Sequence, residues 1–254
     1  MSTFVSMNYK RLQRNLIHLN SVDSTNNYAA NLIKSEKVQS GTTILTKRQT
    51  DGRGQRGRVW QSGANLNLTA SFIVYPRLEV EHIFYLNMIA SLSIHRLLAD
   101  FKIQSEIKWP NDVLVDRKKI CGILIENQLQ GHRIESSIIG VGLNVMQREF
   151  EEGLSATSIV LEAGFAAEIV DVELQLFAYL DFYLDRLMNG ELDYLKQSYL
   201  SLLFGKDKQF KFTQEDKTFA ATILGIDKSG RLLLQNEQLE VKAYQMGELK
   251  MILD

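Results

Sequence analysis

Leu66-Asn-Leu-Thr-Ala-Ser-Phe-Ile-Val74 sets apolar Leu66, Leu68, Ala70, Phe72 and Val74 against polar Asn67, Thr69 and Ser71. That is the two-residue period of a half-buried strand, broken only by Ile73. From Ile83 the period changes: Leu86, Ala90, Ile94, Leu97 and Phe101 recur at helical spacing along one stripe, which predicts a helix that covers the sheet. Strand, then covering helix, with further short strands beyond, predicts an α+β fold with a mixed or antiparallel sheet.

Upstream, Asp23-Ser-Thr-Asn26 offers capping side chains ahead of Tyr28, Ala29, Leu32 and Ile33, so a helix is expected over 23–35. Thr42 to Lys47 reads as a strand feeding Gln49-Thr-Asp-Gly-Arg-Gly-Gln-Arg-Gly-Arg58, a basic loop expected to hold no regular element. Downstream, strands are expected at Glu106 to Trp109, Val113 to Asp116 and Lys119 to Asn127, joined as hairpins. A further strand, RIESSIIGVGLNV ending at Val145, holds Gly140 and Gly142 on one face. Glycine weakens a strand, so this pair implies close approach by a ligand or another backbone. Helices are expected over 157–163, 170–189 and 191–203, with Leu176, Leu180, Tyr183 and Leu187 as the buried stripe of the second.

After Gly205 the chain breaks into strand-length pieces: Gln209 to Phe212, Thr218 to Ile226, Arg231 to Leu234, Leu239 to Ala243 and Glu248 to Leu253. Five short strands predict a small barrel over 205–254, docked on a main domain over 1–204.

The 254 residues carry 29 basic and 30 acidic side chains, a net charge of −1. This balance argues against nucleic-acid binding through bulk charge. The single cysteine, Cys121, excludes an intramolecular disulfide and a multi-cysteine zinc site, and points to the cytoplasm. The uncharged stretch His82 to His95 is too short to span a bilayer. Met1 to Leu19, with Lys10, Arg11 and Arg14, does not read as a signal peptide. The four histidines lack the i, i+4 pairing of a zinc hydrolase.

Four segments carry possible chemistry: Asp23-Ser-Thr-Asn26, the 49–60 loop, Lys108-Trp-Pro-Asn-Asp112 with Lys119, and Gly140-Val-Gly-Leu-Asn144. Taken singly, the first is an ordinary helix cap, and the third is packing, a turn and solvated lysines. The loop is different. Clustered arginines and glycine amides seek phosphate or carboxylate oxygens, so anion binding is the favoured reading. It is neither a Walker loop nor a Rossmann turn, because Arg58 leads to Val59-Trp60 rather than into a helix.

Together, in this order and spacing from about residue 20 to 254, the segments resemble the biotin protein ligase family. Ser24, Thr25 and Asn26 are similar to its first substrate motif, and Gly52-Arg-Gly-Gln-Arg-Gly-Arg58 with Trp60 to its ligand loop. Lys108-Trp-Pro-Asn-Asp112, followed by Lys119 and Gly122, resembles its central signature, and Gly247-Glu248 part of its C-terminal domain. The resemblance implies a class II synthetase-like catalytic domain and a small SH3-like barrel. It also implies ATP, Mg2+ and biotin as reactants, a biotin carboxyl carrier domain as partner, and a possible homodimer.

The implied reaction has two steps. Biotin's carboxylate attacks the α-phosphorus of ATP, giving biotinyl-adenylate and pyrophosphate; a carrier lysine then takes the biotinyl group and releases AMP. Lys119 and Arg53 are the expected catalytic cations. A positioned ammonium offsets anion repulsion by roughly 4 kcal/mol at 4 Å and an effective dielectric near 20. The resemblance puts Ser24, Thr25, Asn26, Gln49, Gly52, Arg53, Gly54 and Gln55 at biotin, together with Lys119, Gly122, Gly140 and Gly142. It puts Arg56, Arg58, Trp60, Lys108, Asn111, Asp112 and Asn144 at the nucleotide, and names no metal ligand.

Gln55 stands where the family commonly has Arg, and Lys250-Met-Ile-Leu253 where it often has an Arg after Gly-Glu. Fewer than 25 residues precede Ser24, so no N-terminal DNA-binding domain is expected. The rivals are a lipoate or octanoate ligase or transferase on a similar fold, and a non-catalytic nucleotide- or RNA-binding module using Trp60 as a stacking platform.

Overall fold

The computed structural model describes residue 12 and residues 15–35, 38–215 and 217–253. The reading of residues 1–11 and 13–14 lies outside them. Seven strands form the main sheet: β1 (Asn15–Leu19), β2 (Thr42–Thr46), β3 (Asn67–Val74), β4 (Glu106–Lys108), β5 (Asp112–Val115), β6 (Lys118–Gln130) and β7 (Arg133–Asn144). Their order is β1-β2-β3-β7-β6-β5-β4, parallel between β1 and β2 and antiparallel elsewhere. The sheet is therefore mixed, as expected. The edge strand β1 was not anticipated, because Asn15-Leu-Ile-His-Leu19 is short and interrupted by a polar side chain.

The helices are α1 (Thr25–Ser35), α2 (Tyr85–Asp100), α3 (Ile159–Ala163), α4 (Ile169–Met188) and α5 (Leu192–Ser201). All were expected, with ends shifted by a few residues. β3 is buried along its whole length, which corrects the half-buried expectation. Leu68, Ala70, Phe72 and Val74 enter the large core with α2 and α4, where Phe72 meets Phe177 edge-on at 5.5 Å. Ile73 points to the other face and packs with Ala29 of α1, Ile44 and Ile138. The residue that broke the alternation thus serves a second core beneath α1.

The remaining strands, β8 (Gln209–Gln214), β9 (Lys217–Ile226), β10 (Leu232–Gln235), β11 (Val241–Tyr244) and β12 (Lys250–Ile252), form an antiparallel sheet ordered β11-β10-β9-β8-β12. It does not close into the expected barrel: β11 and β12, four and three residues long, end the ladder unpaired with each other. Phe212, Ile223, Leu232 and Leu234 of this sheet join the large core. The Trp109 indole donates to the Gly230 carbonyl at 2.8 Å, tying the β4–β5 turn to the second sheet. No described helix is long and apolar enough to cross a membrane.

Candidate active site

A cleft of about 860 Å3 lies between the start of α1, the 49–60 loop, the face of β6 and β7, the β4–β5 turn and β12. Every site residue expected from the sequence borders it.

One end is built from amides and hydroxyls. Val22 and Gln49 form a parallel bridge, which sets the root of the loop beside the start of α1. Gln49 Oε1 accepts from the Thr25 backbone N–H at 2.8 Å and from Thr25 Oγ1 at 3.2 Å. Ser71 Oγ donates to Asn26 Oδ1 at 2.6 Å and lies 2.7 Å from Thr25 Oγ1. The Asn26 amide donates to Glu126 Oε2 at 2.8 Å and to the Leu124 carbonyl at 3.3 Å. Arg53 donates to the other Glu126 oxygen at 2.9 Å and to Asn27 Oδ1 at 2.6 Å. Glu126 therefore joins the start of α1 to the loop. Asp23, flanking this end, is held below the usual carboxylate range, chiefly by the hydrogen bond from Asn27.

The loop is a tight hairpin, not the irregular segment expected. Trp60 N–H donates to Gly52 O and Gly54 N–H to Arg58 O, each at 2.7 Å, and Gln55–Gly57 make a 3-10 turn at the tip. Its glycines permit this crowding: a Cβ on Gly52 would overlap the Trp60 carbonyl.

The hairpin lays Trp60 on the sheet. A Cβ on Gly142 would run into the indole, and one on Gly122, its cross-strand partner, would lie 3.2 Å from the ring and 3.0 Å from Lys119 Nζ. A Cβ on Gly140 would overlap the Asn26 amide. The glycine pair thus makes room for two of the protein's own side chains, where a ligand or another backbone was expected. Trp60 Nε1 is buried without a partner among the described residues, so an N–H donor is available inside the cleft.

The other end is cationic. Lys119 Nζ pairs with Asp112 Oδ1 at 2.6 Å. Burial holds Lys108 below the ordinary lysine range; Lys119, Arg58 and Lys250 push the same way, and Asp112 opposes them. Four cations against one carboxylate leave this end of the cleft with an excess of positive charge, a field that favours anions. Two amides expected at the nucleotide already have work inside the protein: Asn111 donates to the Ile123 carbonyl at 2.6 Å, and Asn144 to the Thr157 carbonyl at 2.9 Å. Arg56, also expected there, donates to the carbonyls of Met246 and Gly247.

Sequence reasoning missed Ser71, Glu126 and Lys250 as site residues. Glu126 shares strand parity with Gly122, and a charged residue at that parity was the available signal. Among the described residues, no three His, Cys, Asp or Glu side chains come together as a metal site.

The biotin/lipoate A/B protein ligase family matches residues 19–144. The chain is 31% identical to the bifunctional ligase/repressor BirA of Bacillus subtilis over 237 residues, 91% of this chain and 72% of that protein. It is 32% identical over 127 residues to a biotin–[acetyl-CoA-carboxylase] ligase of Paracoccus denitrificans, covering 48% and 51% of the two chains. The structure of biotin protein ligase from Aquifex aeolicus in complex with biotin and ATP superposes with a TM-score of 0.79 at 28% identity, covering 95% of this chain and 100% of that one.

Proposed function

The chain belongs to the biotin protein ligase family, and we propose how its cleft activates biotin with ATP and passes it to a carrier lysine. It is an ATP-dependent ligase that forms biotinyl-lysine. The observation that carries the residue assignments is the division of one cleft into a cationic end around Lys119 and an amide and hydroxyl end around Thr25 and Gln49.

In the first step a carboxylate oxygen of biotin attacks the α-phosphorus, the bond to the β-phosphate oxygen breaks, and pyrophosphate leaves. Two anions must meet. We assign Lys119 to bridge the carboxylate and the α-phosphate; its ion pair with Asp112 supports this, because the ammonium is already aimed. Lys108, Arg58 and Lys250 are assigned to the phosphates. Mg2+ enters with the triphosphate, so the substrate is MgATP.

The ureido ring of biotin needs donors and acceptors within apolar walls, since unmatched polar groups there are penalised. Ser24, Thr25 and Gln49 take that role, with Arg53 and Asn26 held at the same end by Glu126. Trp60 is assigned to the nucleotide base or its linkage, its free indole N–H favouring contact with ligand. In the second step the carrier's neutral amine attacks the acyl carbon of biotinyl-adenylate, the bond to the phosphate oxygen breaks, AMP departs, and the amine nitrogen releases one proton to solvent as the amide forms. The hairpin over the cleft keeps water from the mixed anhydride until then.

Residues 1–204 are assigned to the catalytic domain and 205–254 to the SH3-like unit of the family; five antiparallel strands and Gly247-Glu248 support the latter. Cys121, the single cysteine, is buried and unpaired, in keeping with work in the cytoplasm. A direct test is transfer to a purified biotin carboxyl carrier domain with MgATP. Labelling of its target lysine by biotin, and none by lipoate or octanoate, is the expected result; labelling by lipoate alone contradicts the substrate assignment.

A further inference from the structure

We propose that Arg56 is a positioning residue, whose guanidinium, docked on the carbonyls of Met246 and Gly247, latches the 49–60 hairpin over the cleft. The second sheet then serves the reaction by holding the loop shut. This inference rests on the biotin ligase reading above and assigns a mechanical role to a residue expected at the nucleotide.

Three observations carry it. Arg56 sits at the hairpin tip with φ 56° and ψ 43°, a left-handed conformation uncommon for a non-glycine residue. From there its guanidinium reaches two carbonyls, which receive Nη1 and Nη2 as charge-assisted hydrogen bonds, the one to Met246 at 3.1 Å.

The receiving turn, between β11 and β12, is itself fixed. Glu248 N–H donates to the Gln245 carbonyl at 3.1 Å, and Glu248 Oε2 accepts from the Gln245 N–H at 2.8 Å. Its carbonyls are therefore preset as acceptors.

Gly247 has two separate reasons to be glycine. Its φ is +81°, and a Cβ there would overlap the Arg56 guanidinium. One turn thus fits both its own backbone and the incoming arginine. The same turn leads into Lys250, which lines the cationic end of the cleft, so loop closure and phosphate binding share one element.

The test separates a latch from a direct nucleotide contact. Dissociation of biotinyl-adenylate and thermolysin cleavage at Val59, with biotin and MgATP present, are measured for wild type, Arg56→Ala, Arg56→Lys, Gly247→Ala and the Arg56→Ala/Gly247→Ala double variant. The latch requires each alanine variant to speed dissociation about tenfold and expose the hairpin, the double variant to do no more than either single one, and lysine to restore part of the loss. Gly247→Ala leaves every loop cation in place. If it holds adenylate like wild type while Arg56→Ala loses MgATP affinity, Arg56 is a nucleotide ligand and the latch is wrong. A wild type that forms no adenylate contradicts the enzymatic reading itself.

Discussion

The ammonium of Lys119 and the carboxylate of Asp112 face each other at 2.6 Å across the β5–β6 hairpin, at the floor of the cationic end of the cleft. Lys119 is one-third exposed, so the pair contributes little to stability, about 1 kcal/mol or less. Its role is aim. Asp112→Asn is expected to lower the rate of adenylate formation about tenfold or more while leaving the melting temperature nearly unchanged. A large fall in melting temperature with an unaltered rate would make the pair a structural element instead.

Trp60 rests on Gly142 with no space for a methyl group between them. Gly142→Ala is expected to displace the indole at a cost of about 1–3 kcal/mol and to weaken MgATP binding. With only Trp60 and Trp109 in the chain, tryptophan emission reads the displacement directly. Unchanged emission and unchanged KM for MgATP would show that the indole does not depend on that glycine.

Gln55 begins the 3-10 turn at the hairpin tip and borders the cleft. Gln55→Arg adds a cation beside the ligands and is expected to slow adenylate release several-fold. A dissociation rate equal to wild type refutes this.

Lys108 supplies the pH dependence. Its ammonium is disfavoured by burial and by neighbouring cations, so it loses its proton below the ordinary lysine range. A bound phosphate favours the charged form. The contribution of Lys108 to MgATP affinity is therefore full below its depressed pKa and lost as pH rises through it. Lys108→Arg keeps its charge throughout, and its KM for MgATP is expected to stay flat on the alkaline side where wild type rises. Parallel profiles for the two proteins would remove Lys108 from phosphate binding.

Much of this fold was legible in local pattern, because period two and period 3.6 are imprinted wherever one face is buried. Ile73 shows the limit: its mismatch recorded a second core, but only the position of α1 over Ile44 and Ile138 reveals that. The open second sheet was hidden for a related reason, since strand count does not report whether two short edge strands meet. In the site, glycine spacing announced close approach without identifying what approaches, which is Asn26 at Gly140 and Trp60 at Gly142. Glu126, Lys250 and the Arg56 contact join residues 73 to 191 positions apart, and no short motif contains both partners.

Magnesium-dependent ATP–pyrophosphate exchange decides whether Lys119 activates biotin, with biotin, lipoate and octanoate offered separately to wild type and to Lys119→Ala. Adenylation of biotin through Lys119 requires exchange with biotin alone and its loss in the variant. Exchange supported by lipoate or octanoate instead, or biotin-dependent exchange undiminished in Lys119→Ala, contradicts it.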